Sequence, residues 1–274
     1  MKLRNILAIA RKDWIEVRGN KYAWVPMLIV PALFVVILPL VIILLLTRLN
    51  MDPGVIVSDP DLDIFYRSMP PSISQYLDES QPIQFAITII LGFMLAPMFL
   101  MLPLMYSTTI AAESFAGERE RKTMETLLYT PATDGELFLG KVLAAAVPSI
   151  GITWIGFFIY TLILNLVPFY EFGRWWFPLL TWLPLIFWVS PALIMLGISF
   201  TVLVSARVPT FLGAYQTSAS IVLLVVVLFV GQMSGVVYLS VGVGLILGAI
   251  LWMIAAVLSW IAVRSFNRSR MIMG

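Results

Sequence analysis

Long apolar blocks alternate with short polar segments along the whole chain. A helix needs about 20 apolar residues to cross the hydrocarbon core of a bilayer, which is about 30 Å thick. Six blocks reach that length, at about 22–47, 83–111, 142–166, 176–205, 211–230 and 236–263. The pattern therefore predicts an all-α polytopic membrane protein with six transmembrane helices.

Two of these blocks depart from a uniform apolar helix. The second contains Pro97 and Pro103, which are expected to kink it, because proline lacks the backbone N–H and clashes with the preceding turn. Such kinks are tolerated in a membrane where neighbouring helices bind the freed carbonyl groups. The first half of the fifth block is polar, with Gln216, Thr217, Ser218 and Ser220.

The residues before the first block form an amphipathic pattern. Apolar residues recur every three or four positions, at Leu3, Ile6, Leu7, Ala10, Trp14 and Val17. Charged residues lie largely on the other side, at Lys2, Arg4, Arg11, Lys12, Asp13 and Arg18. We expect an interfacial helix over residues 1–20, ended by Gly19-Asn20, whose basic side chains contact anionic lipid. It could act only as an anchor, or it could also contact a cytoplasmic partner.

The basic residues predict the orientation of the spans. With a cytoplasmic N-terminus, fourteen of the 17 Lys and Arg residues fall inside. Only Arg48, Arg67 and Arg174 fall outside, so the positive-inside rule favours this topology. Both termini are then cytoplasmic, and residues 48–82 form an acidic, proline-rich extracellular loop in the cell membrane. No cleavable signal peptide is expected, because the first block is too long and lacks a small-residue cleavage pattern.

Composition limits the chemistry that the chain can perform. It has 61% hydrophobic and 12% charged residues, a mean hydropathy of +0.98, and neither cysteine nor histidine. This inventory excludes a thiol nucleophile, a disulfide, a His/Cys zinc site and a Ser-His triad. The six predicted spans contain no Asp, Glu, Lys or Arg. An ion-coupled secondary transporter or a membrane-embedded enzyme, which would need such residues, is therefore only an alternative.

A charged segment at 112–141 separates the second and third spans. Its charged residues are Glu113, Glu118, Arg119, Glu120, Arg121, Lys122, Glu125, Asp134, Glu136 and Lys141. Opposite charges four residues apart, as in Glu118–Lys122 and Arg121–Glu125, favour a surface helix. Its apolar side would carry Met124, Leu127 and Leu128. This cytoplasmic helix is either solvated or docked on a partner.

Two short motifs follow within the same segment. Thr133 and Glu136 form a capping box that is expected to open the helix of the third span. Residues 135–141 match the first seven positions of a phosphate-binding loop, but Val142 replaces the Ser or Thr that binds magnesium. We therefore expect no ATP site and no catalytic activity in this chain.

The stretch ESFAGERERKTMETLLYTPATDGELFLGK, residues 113–141, resembles the signature of ABC type-2 permeases, the membrane subunits of ABC exporters. The matching residues are Glu113, Gly117, Glu118, Arg119, Glu120, Thr123, Glu125, Leu127, Leu128, Thr130, Pro131, Gly140 and Lys141. Lys122 departs from the family, which commonly has glycine there. IARKDWIEVRGNK near the start and SARVPTFLGAYQTSA between spans four and five resemble the same family, so the likeness extends over the chain.

The resemblance implies a six-helix permease that forms a homodimer or heterodimer and carries a separate ATP-binding cassette ATPase on its cytoplasmic side. ATP and magnesium would bind to that ATPase, and this chain would bind no cofactor or metal and no nucleic acid. The segment after span two would be the coupling helix. The implied docking residues are Glu113, Phe115, Gly117, Glu118, Arg119, Glu120, Arg121, Lys122, Met124, Glu125, Leu127 and Leu128.

The last apolar block contains a pair of glycines that bears on self-association. Gly244 and Gly248 form a G-x-x-x-G pattern, which lets two helices approach closely. The second helix could belong to another copy of the chain or to the same subunit. The sequence leaves both explanations open.

Overall fold

The computed structural model of the chain describes residues 2–48, 69–77, 81–121, 123, 132–208 and 210–265. All regular secondary structure in these ranges is helical. The long helices are α1 (Leu3–Gly19), α2 (Ala23–Arg48), α3 (Pro82–Met94), α4 (Ala96–Glu120), α5 (Asp134–Leu166), α6 (Trp182–Ser205), α7 (Phe211–Met233) and α8 (Val241–Ser265). This confirms the predicted all-α polytopic membrane protein.

The helices from α2 to α8 run back and forth between two ends of a bundle. By length and composition, five of them can cross a membrane, and the bent pair α3–α4 is a sixth candidate when its two parts are counted as one span. We call the end that carries α1 and Glu120 the charged end, and the end that carries Arg48 and Gln84 the opposite end. The central helix is α6, in which most side chains from Ser190 to Ser205 are buried.

The predicted kink in the second span is present. The α3–α4 pair bends by 42° at Leu95, directly before Ala96 and Pro97. Pro97 has no N–H to donate to the carbonyl of Phe93, four residues earlier, and its ring crowds that group. Pro103, in contrast, lies inside the continuous segment Met101–Ala112. The bend therefore follows from Pro97.

Side chains of three other helices bind the carbonyl groups at this bend. The side-chain amide of Gln232 on α7 donates to the carbonyl of Phe93. Trp182 Nε1 donates to the Gly92 carbonyl at 2.6 Å, and the Tyr160 hydroxyl donates to the Leu91 carbonyl at 2.8 Å. Lipid cannot supply such donors, so neighbouring helices must do so.

The start of the fourth span differs from the hydropathy pattern, whereas its end at Ser205 agrees with it. Residues 176–180 are apolar, yet α6 begins only at Trp182. The side chain of Asn165 holds this link in a non-helical path by accepting from the N–H of Trp176 at 2.9 Å and of Phe177 at 3.2 Å. A hydropathy pattern cannot detect backbone groups that are bound by a side chain.

The glycine pair of the last span packs within the subunit. A Cβ atom added to Gly248 would lie 2.1 Å from Cδ1 of Trp188, and one added to Gly244 would lie 3.2 Å from Cβ of Pro184. Trp188 also donates from Nε1 to the carbonyl of Leu245 at 3.2 Å. The structure therefore favours contact between α8 and α6 of one chain as the reason for this motif.

Candidate functional site

Helix α1 packs across the start of α5 at the charged end. Gly140 permits the close approach, because an added Cβ atom would lie only 2.8 Å from Cβ of Ile9. The buried face of α1 contains Ile6, Asp13 and Val17. Asp13 was expected on the polar side, but its side chain is only 1% exposed. It turns inward because a cation on α5 lies opposite it.

That cation is Lys141, whose side chain is 1% exposed. Its Nζ atom donates to Asp13 Oδ2 at 3.1 Å, to Glu118 Oε2 at 2.6 Å and to the carbonyl of Ser114 at 2.5 Å. An ammonium group has three donors, and all three are used here. Since these acceptors lie on α1 and α4, one side chain of α5 joins three helices.

Lys12 completes the arrangement from the surface. It forms an ion pair with the second carboxylate oxygen of Glu118 and another with Glu16 at 3.1 Å. We call Lys12, Asp13, Glu118 and Lys141 the buried charge cluster. Two cations and two carboxylates give it no formal net charge, which is the condition under which ionised groups can be kept away from water. The ring of Phe115, 5.5 Å from Lys141 Nζ, covers the cluster further.

The titration behaviour of α1 reflects this environment. Burial on its own would lower the pKa of Lys12, but the hydrogen bond and charge of Glu118 outweigh it, so the pKa of Lys12 is raised. Burial raises the pKa of Asp13, and the charge of Lys141 opposes that shift. The attraction of a nearby opposite charge therefore dominates the pKa of Lys12, whereas the loss of solvation dominates the pKa of Asp13.

The buried carboxylate of Glu113 ties α4 to the junction between α1 and α2 through a hydrogen bond and also forms a second ion pair. Glu113 is 1% exposed, and it accepts from Arg121 at 2.6 Å and from Asn20 Nδ2 at 2.8 Å. Gly117 faces this carboxylate, since a Cβ atom added there would lie 3.0 Å from Glu113 Oε2. The glycine therefore leaves room for the carboxylate of Glu113.

The last turn of α4 also reaches α6 and α7. Arg119 donates to the carbonyls of Ser205 and Ala206 at 3.2 Å each, where α6 ends. Glu120 accepts from the backbone N–H of Phe211 at 2.8 Å, where α7 begins. A cation at a helix C-terminus and an anion at a helix N-terminus both complement the helix dipoles. Unlike the buried charge cluster, these contacts lie at the surface.

The predicted site residues fall into three groups. Glu113, Phe115, Gly117 and Glu118 are buried inside the chain. Arg119 is half-buried, whereas Glu120 and Arg121 are exposed. The remaining five, Lys122, Met124, Glu125, Leu127 and Leu128, lie outside the described residues. Docking on a partner therefore stays a prediction for the exposed and undescribed residues, while the buried four form contacts within the subunit.

The predictions for the local motifs of the segment 112–141 have different outcomes. The Thr133–Glu136 capping box is confirmed, and it starts α5 at Asp134, before the predicted start of the apolar span. The predicted surface helix is seen only at its start, because Glu118–Glu120 ends α4 and a turn follows at Arg121. Both predicted charge pairs include an undescribed residue. The carboxylate of Glu118 is bound by Lys12 and Lys141.

Sequence reasoning did not identify Lys12, Asp13 and Asn20 as site residues. One signal was available for Asp13, because it shares with Ile6 and Val17 the spacing of seven and four residues that defines one face of α1. Asp13, Glu16 and Glu118 also bring carboxylate oxygens within 4.8 Å of one another. Lys12 and Lys141 supply the opposite charge there.

Comparison with known families extends over nearly all of this architecture. The model of the family described as ABC-2 family transporter protein matches residues 7–246, from α1 into α8. The chain belongs to the ABC-2 transporter family. This ABC-2 protein is accordingly a permease subunit of an ABC transporter and a multi-pass membrane protein. A search of curated proteins returns no match to it. Glu113, Glu118, Glu136 and Lys141, which belong to the stretch that carries the family resemblance, lie at the charged end of this chain.

Proposed function

We propose that this ABC-2 permease docks a separate ABC ATPase at the exposed end of α4 and works as an exporter. The observation that carries the proposal is the buried charge cluster, which joins α1, α4 and α5 directly beneath that exposed end. A surface on which the ATPase exerts force must be attached firmly to the helices that move in response. The ATPase would bind ATP and magnesium, and the permease would perform no chemistry itself.

The contacts at the charged end differ in strength, and this difference suggests how motion is transmitted. Removing one partner from a buried ion pair costs about 3–5 kcal/mol, whereas exposed pairs contribute about 0–1 kcal/mol. The second half of α1, the end of α4 and the start of α5 would therefore move as one unit. The exposed contacts of Arg119 and Glu120 with α6 and α7 could break and reform during each cycle.

The face formed by α2, α4 and α7 would supply this subunit's half of the translocation pathway. A cavity of about 210 Å³ lies there, lined by Phe34, Met101, Met105, Thr108 and Tyr215, among others. Its lining is mainly apolar, which suits a hydrophobic or amphipathic substrate. A second permease copy would complete the pathway, and the charged end would face the cytoplasm because it carries most of the basic residues.

The proposal is tested by purification from native membranes. Wild-type permease with an affinity tag is expected to co-purify with an ABC ATPase and with Mg-ATP hydrolysis. The double reversal Lys122→Glu with Glu125→Lys should lose the ATPase while the permease remains inserted. The double reversal Glu171→Lys with Arg174→Glu, at the opposite end, has the same spacing and the same unchanged net charge, and this matched control should retain the ATPase. A wild-type preparation without an ABC ATPase, or a double variant that keeps it, would contradict the proposal.

A further inference from the structure

A second cavity lies at the opposite end of the bundle, away from the buried charge cluster. It has a volume of about 420 Å³ and is lined by parts of the segment 75–77, the start of α3 and the link between α5 and α6. Ligand pockets generally have volumes of about 300–1,000 Å³. The cavity is therefore large enough for a small molecule or for a lipid headgroup.

The link that forms one wall is fixed before any ligand binds. Asn165 accepts from the backbone N–H groups of Trp176 and Phe177 and donates to the Phe177 carbonyl at 2.7 Å. Trp176 Nε1 donates to the carbonyl of Leu164 at 2.7 Å, and its ring stacks on Phe172 with centroids 4.6 Å apart. A wall held in this way loses little conformational entropy on binding.

The opposite side of the cavity is tied to this link by α3. Gln84 lines the cavity and donates from Nε2 to the carbonyl of Glu171 at 2.7 Å. Thr88, one helical turn further, also lines it and is only 3% exposed. The α3 wall therefore presents polar side chains, whereas the link opposite it contributes the aromatic residues Phe172, Trp175 and Trp176.

Arg174 is the charged residue among those that line the cavity. It follows Gly173, whose φ of 62° lets the chain turn at the end of the short helix Phe169–Phe172. In the part of the chain that the structure describes, Arg174 makes no ion pair. Its guanidinium group therefore remains available to an anion, and its fork of donors matches the geometry of a phosphate.

We propose that this pocket binds a phosphate group, carried by a phospholipid-like amphiphile at the membrane surface. The guanidinium of Arg174 would bind the phosphate, with the hydroxyl of Thr88 as a further polar contact. Trp175 is 61% exposed beside it, and Leu180, just beyond, is 57% exposed. Tryptophan is typical of the headgroup level, and an exposed leucine beside it can contact acyl chains. The site does not depend on the proposed ATPase docking.

Binding to the purified full chain in non-ionic detergent tests this proposal, with native mass spectrometry as the readout. Three probes separate the contributions: dioctanoyl phosphatidylglycerol, dioctanoylglycerol with the same tails but no phosphate, and glycerol 1-phosphate with no tails. The wild type should prefer the phosphatidylglycerol to dioctanoylglycerol. Equal affinity for glycerol 1-phosphate would support the same anion site and identify a soluble phosphate as its source.

Substitutions test whether the preference for phosphatidylglycerol arises from the pocket at Arg174. Arg174→Gln should weaken phosphatidylglycerol binding at least about tenfold, since a charge-assisted hydrogen bond is lost. Its binding of dioctanoylglycerol should not change, which also shows that the variant is folded. The affinity of Arg174→Lys for phosphatidylglycerol should lie between those of the wild type and Arg174→Gln. Arg48→Gln removes an equal charge outside the cavity and should bind phosphatidylglycerol as tightly as the wild type does. Unchanged binding in Arg174→Gln, or an equal loss in Arg48→Gln, would overturn the proposal.

Discussion

The Nζ atom of Lys141 lies 3.1 Å from Oδ2 of Asp13, although the two residues are 128 positions apart and each side chain is only 1% exposed. This ion pair fastens the N-terminal amphipathic helix to the start of the third span. Glu118 extends the connection to the end of the second span. Helices that look independent in the sequence therefore form one structural unit at the charged end.

Removing the central cation should destabilise this unit. Lys141→Met leaves the buried charge cluster with one uncompensated negative charge, and such a change costs about 3–5 kcal/mol. Adding Asp13→Asn restores neutrality, because Lys12 still pairs with Glu118. Thermal unfolding in detergent should therefore show that Asp13→Asn costs much less in the Lys141→Met background than in the wild type. Additive effects would argue against a coupled cluster.

Packing between α8 and α6 gives a second prediction. Gly248→Ala should lower the free energy of unfolding by about 1–3 kcal/mol, as is usual when a tightly packed core is overfilled. The reason is Trp188, which occupies the space that the new methyl group needs. Gly242→Ala is the matched control on the same helix, since a Cβ atom there meets nothing within 4 Å. Equal melting temperatures for the two variants would contradict this packing.

The bend in the second span gives a third prediction. Gln232→Ala should cost about 1–3 kcal/mol, because it leaves the Phe93 carbonyl without its side-chain donor in a buried site. In a Pro97→Ala background the backbone N–H of residue 97 can bind that carbonyl instead. The same Gln232→Ala change should then cost less. Denaturation of the four proteins of this cycle measures the difference, and an identical cost in both backgrounds would exclude this explanation.

Features that depend on neighbouring residues could be predicted from the sequence, whereas features that depend on residues far apart in the sequence could not. The capping box of Thr133 and Glu136 was predictable, because all of its atoms come from neighbouring residues. The kink at Pro97 was predicted from the covalent structure of proline, but the same argument also predicted a kink at Pro103, which lies inside the continuous helix Met101–Ala112. The inward position of Asp13 was not predictable, because its partner Lys141 lies on another helix and residue type alone suggested a solvated side chain. Likewise, the late start of α6 was not predictable, because it depends on the side chain of Asn165, which lies on the preceding helix α5.

Orientation in the membrane is testable because the chain contains no native cysteine. Glu120 and Arg174 are both exposed, at the charged and opposite ends respectively. With the charged end in the cytoplasm, Arg174→Cys should react with an impermeant thiol reagent added to intact cells. Glu120→Cys should react only after the membrane is opened. Labelling of Glu120→Cys in sealed cells would reverse the topology.

We expect the exposed end of α4 to dock an ATPase. A photo-crosslinking amino acid at Glu120 measures this most directly, with the same group at Tyr170 as the control. Tyr170 is fully exposed, but at the opposite end of the bundle. After irradiation of intact membranes, we predict a crosslink from position 120 to a protein with an ATP-binding cassette, and none from position 170. No such crosslink from position 120, or one of equal yield from position 170, would contradict the claim.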